Sequence, residues 1–462
     1  MLVPVLLVLL IVISLYLFYG CGGSGSLSCP NVASGGQTFG SNARCGGEVR
    51  PNASINGRVS KSFGSPIGRD IDNVNENNDQ DDEVSFLSTN PDTGEAYAVS
   101  FDSLGRVYIV GCYEFAATPG SDDLIVIRFN SDGSIDNTFD NDGYLVLNSI
   151  NQDFEWGVGL DCDIFPCDDS IFIIGGVNQI QDNYGLILPA QGSISRFFNQ
   201  MPLSDSELVV LKMRMDGSID NTFGQNGYFV FSNNSLNDVG NSIYVFSNRI
   251  YVGGEVSQNF QTDALILKLD YSGNLVDSVS FGKVNENDKG SSIFVDLQGR
   301  VYLVGFSGDE LLVSRFIDGG SSLGFDSSFD GDGVVMLDGL AGSVGIEEAA
   351  RIMTDNSDRI YVCGYGDRGN SREDMIVLRL RQDGSIDTNF AQSSIQPGVF
   401  VAGEFLGAGS DDRATSLAIN SNGEIFVAGN SIGLQDQSIV LFKLNSQGQL
   451  DTSFGNNGYL IL

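Results

Sequence analysis

Val126-Ile127-Arg128-Phe129-Asn130-Ser131-Asp132-Gly133-Ser134-Ile135-Asp136-Asn137-Thr138-Phe139 is repeated, with small changes, at 210–223, 377–390 and 441–454. Looser copies stand at 266–281 and 313–329. Each copy runs from an apolar stretch through a Gly turn to an Asp and then a Phe. Self-similarity at a fixed period decides the architecture before any single element does, because each unit is one supersecondary piece that buries its apolar face only against its neighbours.

The units divide further. In the first, 96–101, 106–111, 124–129 and 144–148 are short runs of β-branched and aromatic residues separated by Gly turns, which predicts four strands. The second of these returns at 171–175, 249–253, 300–305, 359–364 and 424–429. No long stretch carries a 3.6-residue apolar period, so helices are not expected. Four strands repeated six times at roughly 60-residue spacing predict an all-β fold, a β-propeller of six four-stranded blades over 96–462. The alternative is seven blades, because 49–68 holds a worn half-copy, Asn56-Gly57-Arg58-Val59-Ser60-Lys61-Ser62-Phe63-Gly64 followed by Gly68.

The string Asp-Gly-Ser-Ile-Asp-x-x-Phe-Gly-x-x-Gly resembles the delta-60 repeat family of bacterial exported proteins. Asp132/Gly133/Asp136/Phe139/Gly143, Asp216/Gly217/Asp220/Phe223/Gly227 and Gly448/Asp451/Phe454/Gly458 carry the resemblance, while 271–281 and 318–333 depart from it by insertions and 390–398 lacks the first terminal Gly. The resemblance implies an exported repeat protein and no defined activity. A second, weaker resemblance, to NHL-type propellers, rests on the Gly-x-Val-Tyr-Val form of the second strands.

Composition narrows the function. The 462 residues include 58 Gly, 10 Pro, 30 Phe and 15 Tyr, a β-sheet and tight-turn balance. Acids outnumber bases 59 to 24, a formal charge of −35, which repels phosphate backbones and argues against nucleic acid as a partner. The chain has no His, which removes Ser-His-Asp and Cys-His nucleophiles, His-ligated zinc and a His base. An enzyme built on this chain would rely on carboxylates, as a glycosidase or lyase does, and the plain repetition argues against that.

Residues 2–19 are almost wholly apolar and end at Phe18-Tyr19-Gly20-Cys21, the order of a bacterial lipobox in which Cys21 is lipidated. The alternative is an uncleaved anchor. Residues 1–21 are thus an export signal or anchor, and 22–95 a flexible tether with an acidic linker at 70–83. The expected place is the bacterial outer membrane or cell surface, and otherwise a membrane-anchored or secreted state. The membrane is touched through the N-terminus alone. In an exported chain Cys29 with Cys45, and Cys162 with Cys167, are disulfide candidates, whereas Cys112 and Cys363 are expected to be free and buried.

The recurring residues read first as structure. Phe139, Phe223, Phe281, Phe329, Phe390 and Phe454 occur once per unit, as inter-blade core residues should. Every unit also has one base in its third strand and one Asp after the turn. These are Arg128 with Asp136, Lys212 with Asp220, Lys268 with Asp277, Arg315 with Asp326, Arg379 with Asp387, and Lys443 with Asp451. A base among apolar strand residues requires a partner, so each is expected to pair with its own Asp.

No cofactor is implied. Calcium is the alternative, because Asp140, Asp142, Asp330 and Asp332 place carboxylates at alternate positions of Gly turns. Sialidase Asp-boxes occupy a comparable place in a blade, but they end in Trp and this chain has Trp156 alone. The repeat is broken by a long connection at 177–207 carrying Tyr184, Arg196, Phe197, Phe198, Gln200 and Met201, which is interface chemistry. The expected function is a non-enzymatic surface module that binds a protein or a glycan on one propeller face. A purely structural envelope component is the remaining alternative.

Overall fold

The structure, a computed structural model, describes residues 53–54 and 93–462 apart from 103, 115–121, 148–154, 157–162, 168–169, 179–205, 234–237, 259–260, 370–371, 393–395, 408 and 434–436. The described residues are all-β and form six antiparallel sheets arranged in a ring, a six-bladed β-propeller. Blade one is Thr93–Phe101, Val107–Glu114, Asp122–Phe129 and Tyr144–Leu147. Blade three is Asp238–Phe246, Arg249–Gln258, Gln261–Asp270 and Leu275–Phe281. Blade five is Glu347–Thr354, Ile360–Asp367, Glu373–Leu380 and Val399–Ala402, and blade six is Asp411–Ile419, Ile425–Ile432, Gln437–Leu444 and Tyr459–Ile461.

Two blades depart from the plan. In blade two, Ser170–Asn178 pairs along most of its length with Asp163–Cys167 and at its far end with Glu155–Trp156, so two pieces stand where other blades have one first strand. Ser206–Arg214 and Tyr228–Phe231 complete that sheet. Blade four, built on Asp288–Val295, Arg300–Ser307, Glu310–Asp318 and Val334–Leu337, gains a short strand, Leu323–Phe325, on the end of its third strand. The worn copy adds no separate blade among the described residues. Its Ala53–Ser54 pairs with the first strand of blade one.

The alternation read from the sequence packs blade against blade. Val252, Leu265, Leu267 and Ile250 of blade three meet Phe172, Leu208, Val210 and Phe223 of blade two in one cluster. Tyr302, Val304 and Val313 of blade four meet Ile352, Val362 and Ile376 of blade five in another. Each buried aliphatic side chain stabilises by roughly 1.5–3 kcal/mol.

The Gly that ends the second-strand motif has a steric cause. The first strand of each of these blades carries a bulge, as between Gly240 and Ser242, Gly290 and Ser292, Ala349 and Arg351, and Ala414 and Ser416. A Cβ on Gly254, Gly305, Gly364 or Gly429 would lie 2.0, 1.9, 1.9 or 2.2 Å from a backbone oxygen at that bulge. The bulge pushes backbone against backbone, and only a residue without a side chain fits.

Candidate functional site

The repeated base and Asp form a lock in five of the six blades. Arg128 meets Asp136 at 2.8 Å, Lys212 meets Asp220 at 3.1 Å, Arg315 meets Asp326 at 2.7 Å, Arg379 meets Asp387 at 2.8 Å and Lys443 meets Asp451 at 2.9 Å. The Asp also caps the turn ahead of it. Asp136 Oδ1 accepts from both the amide and the hydroxyl of Thr138, and Asp326 Oδ1 does the same with Ser328. Burial pushes these carboxyls up, but the hydroxyl and amide donors together with the base outweigh it, so Asp136, Asp220 and Asp326 sit below the ordinary carboxylate value.

The guanidinium packs against two aromatic rings that themselves meet edge to face. Arg315 lies 4.7 Å from the Phe329 centroid and 6.0 Å from that of Tyr302, and Arg379 lies 4.7 Å from Phe390 and 5.8 Å from Tyr361. The tyrosines belong to a second repeated device that the sequence reading did not pick out. Tyr108, Tyr302 and Tyr361 donate to Asp102, Asp296 and Asp355 at 3.0, 3.1 and 3.2 Å, and Arg106, Arg300 and Arg359 bind the same three carboxylates. The signal was present as Asp-x-x-Gly-Arg-x-Tyr at 102–108 and 296–302.

Blade three corrects two expectations. Lys268 does not pair with Asp277; it binds Asp318 and the Gly320 carbonyl of blade four. Phe281 is half-buried rather than a core lid, unlike Phe139, Phe329 and Phe390, which are fully buried. The cause is local. After Gly273 the chain enters its fourth strand at Leu275, so the excursion that carries Asp and Phe in other blades is missing. Asp277 falls in that strand opposite Lys268, and its Oδ2 accepts from the Leu323 amide at 2.6 Å. Phe454, at the end of the ring, is also half-buried, contrary to the core role expected of it.

Other expected sites fall partly outside the described residues. Tyr184, Arg196, Phe197, Phe198, Gln200 and Met201 lie outside the described residues, as do Cys21, Cys29, Cys45 and Cys162. Cys167 ends the strand that pairs with Ser170, and its side chain is outside the description. Cys363 is free and fully buried. Asp142 and Asp332 each turn one oxygen back onto an amide of their own turn, those of Tyr144 and Val334. Among the described residues no three metal-ligating side chains converge. No described helix is long and apolar enough to cross a membrane.

The concave feature with distinctive chemistry lies where blades three and four leave the repeat. A groove of about 470 Å³ is lined by Phe281 and Gly282 of blade three and by Phe325, Asp330, Asp332, Val334 and Met336 of blade four. Phe325 is 40% exposed and Met336 37%. Phe325 stacks on Phe316 at 4.5 Å and meets Phe281 edge-on at 5.2 Å, so its outer surface is rigidly presented. Asp330 and Asp332 project from a turn held by positive φ at Asp330 and Gly331, and among the described residues no base lines the groove. Such a site fits an apolar or cationic group and disfavours an anion.

A family described as "Domain of unknown function (DUF5122) beta-propeller" matches residues 105–139, 356–390 and 421–454. The chain is a β-propeller repeat protein. The three matched segments each run from the turn before a second strand to the Phe of the lock, so the family match rests on the same motif that the side chains assemble. No curated protein matches this propeller. Among solved structures it is similar to a mutant NanB sialidase from Streptococcus pneumoniae, at 11% identity and a TM-score of 0.42, over 75% of this chain and 67% of that one. It is also similar to an ulvan lyase of a new polysaccharide lyase family, at 11% identity and a TM-score of 0.39, over 76% and 80% of the two chains. At these values the likeness is one of fold and carries nothing about activity.

Proposed function

We propose that this protein is a non-enzymatic, exported propeller that binds a protein partner through the groove between blades three and four, tethered to the cell surface by a lipidated Cys21. The groove carries the reading: a rigid phenylalanine cluster beside two carboxylates, with no base, is suited to a Lys- or Arg-bearing segment. Its alkyl stem packs on Phe325 and Met336, and its charge meets Asp330 and Asp332. The −35 charge of the chain steers such a partner toward it.

Buried ionisable groups elsewhere do not favour catalysis. Burial pushes Glu347 up to about 7, a value suited to a general acid, but its side chain is fully buried and its Oε1 accepts from the Leu340 amide at 2.6 Å. Burial and the neighbouring Glu348 carboxylate, to which its hydroxyl donates at 2.7 Å, push the Tyr365 phenol up, so it is no nucleophile at neutral pH.

The experiment is a peptide array and a glycan array probed with the wild-type protein and with Phe325→Ala and Asp330→Asn/Asp332→Asn variants at two salt concentrations. Binding to Lys/Arg-containing peptides that weakens with salt and is lost in both variants is the expected result. Salt-insensitive binding to a neutral glycan would replace the protein partner with a sugar. Binding unchanged by Phe325→Ala would remove the groove as the site.

A further inference from the structure

Among the described residues the fourth strand of each blade ends its sheet. Such a strand turns alternate backbone amides and carbonyls away from its ladder, which makes it a template for another chain. Five blades keep this edge short. Tyr144–Leu147, Tyr228–Phe231, Val334–Leu337 and Val399–Ala402 have four residues, and Tyr459–Ile461 has three. In blade three the edge strand, Leu275–Phe281, has seven. The missing Asp–Phe excursion is the cause, since the residues it occupies elsewhere extend the strand here.

Shortness is not the only protection this edge lacks. Leu275–Phe281 contains no Pro, Lys or Arg, the residues that discourage pairing at an edge. Its one charge, Asp277, is turned to the Leu323 amide of blade four. The bulge in the ladder lies at the turn end, between Lys268 and Leu269, and Asp277–Phe281 runs in unbroken register against Ala264–Lys268. The strand is also held from one side. Val279 and Phe281 pack on the cluster that contains Ile266 and Phe316, while Leu275 is 45% exposed and Ser278 is exposed. An edge already supported in regular register needs little further ordering to accept a strand.

The same strand runs into the groove between blades three and four, because Phe281 and Gly282 form one of its walls. A chain lying along Asp277–Phe281 therefore reaches Phe325, Asp330 and Asp332 at its Phe281 end. In such an arrangement backbone hydrogen bonds give affinity to any extended segment, and the groove selects one side chain. Two carboxylates, with no base beside them among the described residues, select a cationic one. The chain's own charge of −35 disfavours a second copy as the occupant.

We propose that the partner is an extended basic segment that adds to blade three as a further strand along Asp277–Phe281 and sets a Lys or Arg side chain in the groove. The inference rests on the groove reading above and adds to it the conformation in which the partner is held.

Binding of synthetic peptides to the full chain tests this. The probe is a peptide as long as the strand, alternating threonine and valine, with lysine at each end. Two further versions carry N-methyl groups on alternate amides, in one phase or the other. The unmethylated peptide is expected to slow hydrogen exchange of 275–281 on the order of tenfold. One methylated phase should bind as the parent does and the other about tenfold more weakly, because only alternate amides of an added strand face the edge. Phe325→Ala and Asp330→Asn/Asp332→Asn should each weaken the parent peptide. No substitution within the strand is needed, so misfolding does not confound the result. Absence of binding, equal binding of the two phases, or an unprotected 275–281 would overturn the proposal. Phase-dependent binding that neither variant weakens would keep the strand and remove the groove, so the two readings fail separately. Protection of 275–281 in the peptide-free protein that disappears on dilution would also overturn the proposal, since it would assign the edge to a second copy of the chain.

Discussion

Arg379 and Asp387, eight residues apart, meet at 2.8 Å with both side chains at most 10% exposed, and the same guanidinium donates to the Ser446 carbonyl of the next blade. One base therefore fixes a turn within its blade and the distance to its neighbour. Asp387→Asn leaves that buried charge poorly compensated, and a loss of about 3 kcal/mol is expected in chemical denaturation. Asp451→Asn, in the more exposed pair of blade six, should lower the midpoint far less. Equal losses would show that the lock does not act through burial.

Acid sensitivity follows from the same residues. Asp136, Asp220 and Asp326 have folded values below the ordinary 3.8. Their contribution is present above the unfolded value and is lost as pH falls through the folded values. Stability measured by denaturation should therefore decline below about pH 4, and Thr138→Ala, which removes a donor to Asp136, should shrink that decline.

Glu347 behaves in the opposite sense. Its folded value, raised by burial to about 7, lies above the ordinary 4.5, so the folded state binds the extra proton and stability falls as pH rises from 4.5 through 7. Glu347→Gln is expected to stabilise the protein at pH 8 by up to about 3 kcal/mol and to do nothing at pH 4. A destabilised variant at pH 8 would show that the Leu340 amide, which donates to Glu347, stabilises the carboxylate by more than burial costs it.

Gly448 and Gly407 separate steric from conformational cost. Both have positive φ, 78° and 103°. A Cβ at Gly448 meets the Phe390 ring at 2.5 Å, while nothing lies within 4 Å of one at Gly407. Gly407→Ala should cost about 1 kcal/mol and Gly448→Ala at least twice that, as read by thermal unfolding.

Cys363 is fully buried, and burial raises its thiol to about 12. Peptide mapping after treatment with a thiol reagent at pH 8 should find it unmodified in the folded protein and modified in denaturant.

The repeat was legible in the sequence because a propeller makes each unit solve the same packing problem. The base and Asp of the lock stand eight residues apart in four units, and a charge in an apolar strand must find a partner, so spacing alone identified Arg128–Asp136 and Arg379–Asp387. Strand order within a blade and the second-strand glycines follow from the same periodicity, whereas the choice of six blades over seven came from the structure. What the sequence could not supply was the identity of partners across blades. Lys268 lies opposite Asp277 in the paired strands yet binds Asp318, because a shortened blade leaves the base free to meet the next one. The groove between Phe281 and Phe325 likewise exists because two neighbouring irregular units meet. Contacts within a unit are set by local spacing, whereas contacts between units depend on how closed sheets stack, and only the tertiary structure fixes that.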